Sequence, residues 1–278
     1  MIEGGTWQAT AVGEKGIRSY HLTDLTSLFS TMASVAHQYE AAATPEQKQA
    51  FYNTTLAQVY DAGTEVELSS SELQQRAEKI GPPYAANLLF ISAGVDVQAD
   101  RLEATFLGVH SDQTFSVLKL MGDTSRDAVW RQLDEAMGST FKTTDGRTLP
   151  VQIQAIDSGF NADQVIKFVL AQRKKARSTY AVKGKEGFDR LPLAQGGRLK
   201  GQMRLLIVGS DAGKLAVQKA LALQEIGPGY IRLPGHVDAD YFEGLASEEL
   251  RVKVIKGARR YAYHRTVKRN EPLDCLVS

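Results

Sequence analysis

The chain has 278 residues, of which 43% are apolar and 23% charged, and this balance predicts a globular protein with a sizeable core. Its single cysteine, Cys275, excludes an internal disulfide and a zinc site built from cysteines. No apolar stretch is long enough to span a bilayer, and residues 1–16 lack the pattern of a signal peptide. We therefore expect a reducing, cytoplasmic setting.

The charge is distributed unevenly along the chain. Residues 1–150 hold 11 basic and 19 acidic side chains, whereas residues 151–278 hold 22 and 13, which gives net charges of −8 and +9. This asymmetry indicates either a surface that meets a polyanion or charges scattered over solvated faces, and composition leaves both interpretations open.

Residues 1–82 are predicted to form a mostly helical lead-in that ends at the double proline. Apolar residues recur at spacings of three and four over residues 23–43, which is typical of a helix. Thr44 and Pro45 predict the cap and first turn of a second helix that runs to about residue 60. A third, short helix is expected to follow Ser69.

Residues 83–278 are predicted to form a second domain. Its first element is a buried strand that ends on a carboxylate. The run LFISAGVDVQ at residues 89–98 is almost continuously apolar, as in strands buried on both faces. Burying an unpaired carboxylate costs several kcal/mol. Asp96 is therefore expected at an open strand end, facing a cleft or a cation, or else in a solvated turn.

The remaining pattern alternates strands and helices. Runs at 102–109 and 114–120 complete a predicted three-strand meander, and the apolar run at 151–156 ends on a second carboxylate, Asp157. The polar, glycine-rich segment 186–200 is expected to be a mobile loop. Further strands and helices are predicted at residues 127–137, 161–171, 179–182, 205–208, 212–222, 230–233, 239–245, 250–255 and 261–264.

The final residues predict a helix start, with Asn270 as cap and Pro272 in the first turn. Asp274 lies four residues before the last residue, so we expect this helix to be cut short after about one turn, as in a fragment of a longer protein. Isolated helices of that length are marginal in water, which leaves the ordering of Asp274 open.

Together these patterns favour a ribonuclease H-like α/β domain. Asp96, Asp157 and Asp274 each lie at the end of a predicted element. Hard cations such as Mg²⁺ prefer oxygen ligands, and two such ions can support hydrolysis of a phosphodiester. The expected chemistry is metal-assisted hydrolysis of a phosphodiester in a nucleic acid.

Four short motifs, in order, resemble the nuclease part of the lambda-type terminase large subunit, the GpA family of bacteriophages. They are GVDVQADRLE at 94–103, IDSG at 156–159, GPGYI at 227–231 and NEPLDC at 270–275. The segment FYNT at 51–54 is similar to that family's linker between its ATPase motor and its nuclease. The resemblance covers most of the chain, but the motor is not present in it.

The resemblance implies an endonuclease that cuts concatemeric double-stranded DNA during packaging, in the host cytoplasm. It implies that Asp96, Asp157 and Asp274 bind Mg²⁺ or Mn²⁺, with two ions expected. It also implies a motor domain, a small terminase subunit and the procapsid portal as partners. Two alternatives stay open: a Holliday-junction resolvase or transposase of the same fold, and a non-catalytic module that docks on DNA or the portal.

Several basic residues are candidates for contacts with DNA phosphates. They are Lys183, Lys214, Arg259, Arg260, Lys268 and Arg269. The segment 209–215 fails the spacing of a phosphate-binding loop, so Asp211 is interpreted as a helix cap, with Asp211 or Lys214 lining the site as the alternative. The five histidines are scattered without ligand spacing and are interpreted as structural.

Overall fold

The computed structural model describes most of the chain. The described residues are 7–8, 12, 15–43, 45–58, 60, 67–99, 101–123, 128–188, 190–198, 203–255, 258–267 and 269–278. The chain divides into two compact units, one of residues 1–65 with 252–261 and one of residues 66–251 with 262–278. The expected division into a lead-in over 1–82 and a nuclease domain over 83–278 stays a prediction.

The first unit is helical in its N-terminal part. It contains a 3-10 turn (Asp24–Thr26) and the helices α1 (Met32–Ala41) and α2 (Pro45–Thr54). Val35 and Phe51 pack together between the two helices. The helix predicted over residues 23–43 is thus shorter, and Pro45 begins α2 as expected, while Thr44 lies outside the described residues.

An eight-stranded mixed sheet forms the centre of the second unit, with the spatial order β10-β3-β2-β1-β6-β7-β9-β8. Its strands are β1 (Leu88–Val97), β2 (Leu102–His110), β3 (Phe115–Asp123), β6 (Ile153–Asp157), β7 (Thr179–Lys185), β8 (Leu193–Arg198), β9 (Arg204–Gly209) and β10 (Ile231–Arg232). Strands β1, β2 and β3 form the antiparallel meander, and β1, β6, β7 and β9 run parallel. This order is that of a ribonuclease H-like sheet, which confirms the predicted fold class.

The other elements of the second unit flank this sheet or form hairpins. They are α3 (Ser70–Gln75), β4 (Thr140–Lys142), β5 (Thr148–Pro150), α4 (Val129–Met137), α5 (Ala162–Lys174), α6 (Ser210–Ala222), α7 (Ala239–Leu245) and α8 (Glu271–Val277). The strands β11 (Glu248–Ile255) and β12 (Ala258–Arg265) pair as a separate two-stranded sheet. No helix within the described residues combines the length and apolarity needed to cross a bilayer.

Strand β1 separates the hydrophobic core from the face that carries the candidate site. Ile91 and Val95 are fully buried and belong to the same core cluster as Leu133 of α4 and Val169 of α5. Because side chains alternate along a strand, Gly94 and Asp96 point to the opposite face. The apolar run therefore both anchors the sheet and presents one carboxylate away from the main core.

The segment 186–200 is not a loop throughout, so that expectation was wrong. Residues Leu193–Arg198 form the edge strand β8, which pairs antiparallel with β9. Its side chains are mostly exposed, with two consecutive glycines, so no alternating apolar pattern marks it. Backbone hydrogen bonds to a single neighbour, rather than side-chain burial, define this strand.

Candidate functional site

Two of the three predicted aspartates are brought to the same edge of the sheet. Strands β1 and β6 pair in parallel with Val95 opposite Ile156, and the next residues along the two strands are Asp96 and Asp157. Asp157 ends β6, and Asp96 is the penultimate residue of β1. Carboxyl ends of parallel strands are the usual place for a site in such sheets.

Helix α8 brings Asp274 to this edge through a close backbone approach. A Cβ atom placed on Gly94 would lie only 1.9 Å from the carbonyl oxygen of Cys275, so only glycine fits beneath the helix. The Cys275 thiol also donates a hydrogen bond to the carbonyl oxygen of Glu103 at 3.4 Å. Because Gly94 and Asp96 share a face, this contact places Asp274 on the side of the sheet to which Asp96 points.

Helix α8 is formed despite its seven residues. Leu273 is fully buried and Cys275 is 3% exposed, so tertiary packing supplies the order that so short a helix lacks by itself. Close approaches to Gly213 of α6 and Gly244 of α7 seat it further, at Val277 and Pro272. The ordering of Asp274, which the sequence left open, is favoured by this packing.

The three carboxylates interact electrostatically. Asp96 is 4% exposed, and burial raises its pKa to about 6. A hydrogen bond from Gln98 at 2.6 Å opposes this rise, while the charges of Asp274 and Asp157 add to it. Burial also raises the pKa of Asp157 and of Asp274. The charge of Lys183 at Asp157, and those of Lys214 and Arg265 at Asp274, oppose these rises only in part.

The donor chemistry fits a hard divalent cation, although the arrangement is not closed. All three side chains offer carboxylate oxygens, the ligands that Mg²⁺ and Mn²⁺ prefer. Along the described ranges, however, no group of three His, Cys, Asp or Glu side chains is already arranged to hold a metal ion. A cation at this edge would have to draw the carboxylates together.

A lysine and an asparagine side chain each contact one carboxylate oxygen of Asp274. The Lys214 ammonium lies 3.3 Å from Oδ1 of Asp274, and Asn270 Nδ2 donates to Oδ2 at 2.7 Å. Asn270 was expected to cap α8, but its side chain makes no capping bond to the helix backbone. The same Lys214 and Asn270 also bind Glu248, a buried residue that the sequence analysis missed.

The predicted DNA-contacting residues differ in their surroundings. Lys183 is exposed on β7, and its charge partly offsets the raised pKa of Asp157. Arg269 exposes 46% of its side chain and donates to Glu103 Oε1 at 2.7 Å. Lys214 is largely enclosed. The side chains of Arg259 and Arg260, and the whole of Lys268, lie outside what the structure describes.

The interpretation of Asp211 as a helix cap was wrong. Helix α6 begins at Ser210, and Gly209 occupies the cap position because β9 runs directly into the helix. Asp211 lies in the first turn, where its carboxylate accepts a hydrogen bond from the backbone N–H of Gly187 at 2.7 Å. Burial raises the pKa of Asp211.

A comparison with known protein families identifies the family of this chain. The family model described as "Terminase large subunit gpA, endonuclease domain" matches residues 17–278. The chain belongs to this family. The match confirms the resemblance drawn from the four motifs, and it favours a terminase over a resolvase or transposase among the nucleases considered.

Two terminase large subunits are similar over most of this gpA nuclease chain. That of Escherichia phage lambda is 22% identical over 272 residues, which are 93% of this chain and 42% of the relative. That of Enterobacteria phage P21 is 25% identical over 275 residues, again 93% of this chain and 42% of the relative. The chain therefore spans less than half the length of these relatives.

Solved large terminases also align with the gpA nuclease chain. The large terminase of a thermophilic bacteriophage gives a TM-score of 0.46 at 11% identity, covering 90% of this chain and 52% of that one. The large terminase of bacteriophage HK97 gives a TM-score of 0.35 at 16% identity, covering 90% and 49%.

Proposed function

We propose that this domain is a metal-dependent endonuclease that cuts concatemeric double-stranded DNA at packaging boundaries. The observation that carries the proposal is the approach of Asp96, Asp157 and Asp274 from β1, β6 and α8 to one end of the sheet, where burial first, and then the charges of Asp274 and Asp157, raise the pKa of Asp96. Carboxylates that destabilise one another without a counter-ion are suited to bind one.

Each residue has a distinct part in the proposed reaction. Asp96, Asp157 and Asp274 would hold Mg²⁺ or Mn²⁺, with two ions expected, while Gln98 orients the Asp96 carboxylate through its 2.6 Å hydrogen bond. When bound, the metal supplies Lewis-acid stabilisation of the phosphate and lowers the pKa of water. Cleavage would leave 3′-hydroxyl and 5′-phosphate ends.

Basic side chains around the carboxylates would hold the DNA backbone. Lys183 is exposed beside Asp157, and Arg269 is half exposed beside Glu103. Arg259, Arg260 and Lys268 stay candidates from the sequence. Contacts of this kind are independent of base sequence and weaken as salt rises.

The partners and location follow from family membership alone and are part of the proposal. In a full-length terminase the domain would work with an ATPase motor domain, a small terminase subunit and the procapsid portal, in the host cytoplasm. The curated relatives are more than twice as long as this chain, so such functions would need residues beyond it.

The decisive experiment is plasmid nicking by the purified chain with and without Mg²⁺ or Mn²⁺. We expect Asp96→Asn, Asp157→Asn and Asp274→Asn each to lower the rate by about 100-fold or more, because each removes a charge that holds the metal. Asp134→Asn is the matched control, since Asp134 is also ion-paired but lies on α4.

Two results would contradict the proposal. Nicking that persists without a divalent ion, or at the wild-type rate in any of the three variants, would remove the carboxylates from the mechanism. DNA binding without any nicking under all metal conditions would instead favour the non-catalytic docking module.

A further inference from the structure

Glu248 is a buried carboxylate at the site to which the sequence analysis gave no role. It is the first residue of β11 and is 6% exposed. Both its oxygens accept hydrogen bonds from Lys214 Nζ at 2.7 Å, and Oε1 accepts another from Asn270 Nδ2 at 2.7 Å. Its backbone carbonyl accepts from Gln218 Nε2 at 2.7 Å, which fixes the start of the strand.

The Lys214 ammonium is shared unequally between two carboxylates. It lies 2.7 Å from both oxygens of Glu248 but 3.3 Å from the nearest oxygen of Asp274. Asn270 bridges the same two residues, since its amide nitrogen donates to Glu248 and to Asp274 at 2.7 Å each. Glu248 thus shares the lysine with Asp274 and holds it at the shorter distance.

An ammonium and a divalent ion compete for the same carboxylate oxygens. A lysine bound fully to Asp274 would neutralise that carboxylate and repel an incoming cation. Because Lys214 is only 13% exposed, water screens this competition weakly. The charge that restrains Lys214 therefore affects how readily Asp274 accepts a metal.

We propose that Glu248 is a positioning residue that retains Lys214 by its charge and so keeps Asp274 available to a divalent cation. The inference rests on the proposed function, since it takes Asp274 to be a metal ligand. It differs from a purely structural ion pair in one respect. In a structural pair, loss of Glu248 changes stability, whereas here it also changes metal affinity, and simultaneous loss of Lys214 restores that affinity.

The test is calorimetric titration of the full chain with Mn²⁺ in the absence of DNA. We expect Glu248→Gln to weaken Mn²⁺ binding by about tenfold or more, because the released ammonium turns to Asp274. The double variant Glu248→Gln with Lys214→Met should return to within about threefold of wild type. Lys214→Met alone should bind Mn²⁺ at least as tightly as wild type.

Asp211→Asn is the matched charge control. Asp211 lies near Lys214 on α6 and carries the same charge as Glu248, but it bonds to the Gly187 backbone instead of the lysine. If a general loss of negative charge were the cause, Asp211→Asn would weaken binding as much as Glu248→Gln. We expect less than about a threefold change.

Several outcomes would overturn the inference. These are wild-type affinity in Glu248→Gln, failure of the double variant to recover, and weaker binding in Lys214→Met, which keeps the test decisive even if Glu248→Gln does not fold. If the wild-type chain binds Mn²⁺ no better than Asp96→Asn, the proposed function fails as well. Tight wild-type binding with an unaffected Glu248→Gln overturns only the role of Glu248.

Discussion

Two aspartates in this fold are each held by a lysine and an amide side chain, yet their pKa values are shifted in opposite directions. Asp134 of α4 accepts hydrogen bonds from Lys175, from Gln172 at 3.0 Å and from Arg177 at 2.8 Å. The Lys175 bond and the other donors hold its pKa below the usual range. Asp274 has comparable partners, but burial raises its pKa.

The difference lies in the balance of charge around each carboxylate. Two cations, Lys175 and Arg177, pair with Asp134, whereas Lys214 is divided between Asp274 and Glu248. Burial and the charge of Glu248 raise the pKa of Asp274, and the charges of Lys214 and Arg265 offset this only in part. The same residue types thus build a satisfied structural anchor in one place. In the other, burial and a shared lysine leave a carboxylate whose pKa is raised.

The largest effect is expected from displacing α8. This change should disrupt the contacts of Asp274 with Lys214 and Asn270 and leave those of Asp134 with Lys175 and Arg177 intact. Gly94→Ala places a methyl group against the Cys275 carbonyl, where a Cβ would lie 1.9 Å away. We expect a loss of about 3 kcal/mol in the free energy of unfolding, together with loss of nicking. Urea unfolding and the plasmid assay measure the two.

Gly122→Ala is the control for this substitution, because among the described residues a Cβ at Gly122 on β3 would meet only a Glu103 side-chain atom at 3.9 Å. It should change the free energy of unfolding by less than about 0.5 kcal/mol. Equal losses in the two variants would mean that glycine flexibility, rather than the docking of α8, determines the effect.

An effect on stability of opposite sign, and at most of similar size, is expected for Asp96→Asn without metal. Since the folded pKa is raised to about 6 from 3.8, the wild-type chain loses stability as pH rises from about 4 to 6. The variant does not ionise there, so at pH 8 it should be more stable by up to about 3 kcal/mol, with no gain at pH 4. Thermal unfolding in the presence of a chelator would measure the difference in stability between the variant and the wild type.

A divalent metal ion should make the wild-type chain more stable than Asp96→Asn. Added Mn²⁺ is expected to stabilise the wild-type chain and to leave Asp96→Asn almost unchanged, because only the former keeps the full carboxylate set. A variant that is less stable than wild type at pH 8 in chelator would show that the Asp96 charge is already compensated within the fold.

The smallest effect on stability is expected at Asp134, whose carboxylate is already paired with Lys175 and Arg177. Asp134→Asn should lower the free energy of unfolding by about 0.5–1 kcal/mol at pH 7, since it removes partly exposed ion pairs. Because the folded pKa is lowered, this contribution is present above the unfolded pKa of about 3.9 and lost as pH falls through the folded value. Urea unfolding from pH 7 to pH 3 should show the gap closing, and a gap that widens in acid would refute it.

The sheet and two of its carboxylates could be predicted because they depend on local patterns. Apolar runs that end on Asp96 and Asp157 indicated strands, and the parallel pairing of β1 with β6 then brings the two aspartates to one edge. Asp274 was grouped with these two aspartates from its predicted helix start and from a family motif, whereas the close approach of α8 to Gly94 leaves no local signal. The edge strand β8 was missed because exposed side chains leave no periodic signal.

The cluster around Asp274 was only partly visible in the sequence. Asn270 precedes Asp274 by four residues, a spacing that places both on one helix face, so their contact could have been expected. Glu248 carries no such local signal, because its partner Lys214 is 34 residues away in the chain. Contacts of this kind depend on how distant elements pack.

The docking of α8 on the sheet also bears on the order in which the protein becomes active. The Cys275 thiol donates a hydrogen bond to the Glu103 carbonyl oxygen, 172 residues away in the sequence. Contacts so distant in sequence tend to form slowly. During synthesis, the strands that carry Asp96 and Asp157 emerge long before α8. On the proposed function, a nascent or partly unfolded chain would lack its third carboxylate and could not cut DNA, so the topology delays cleavage until folding is complete.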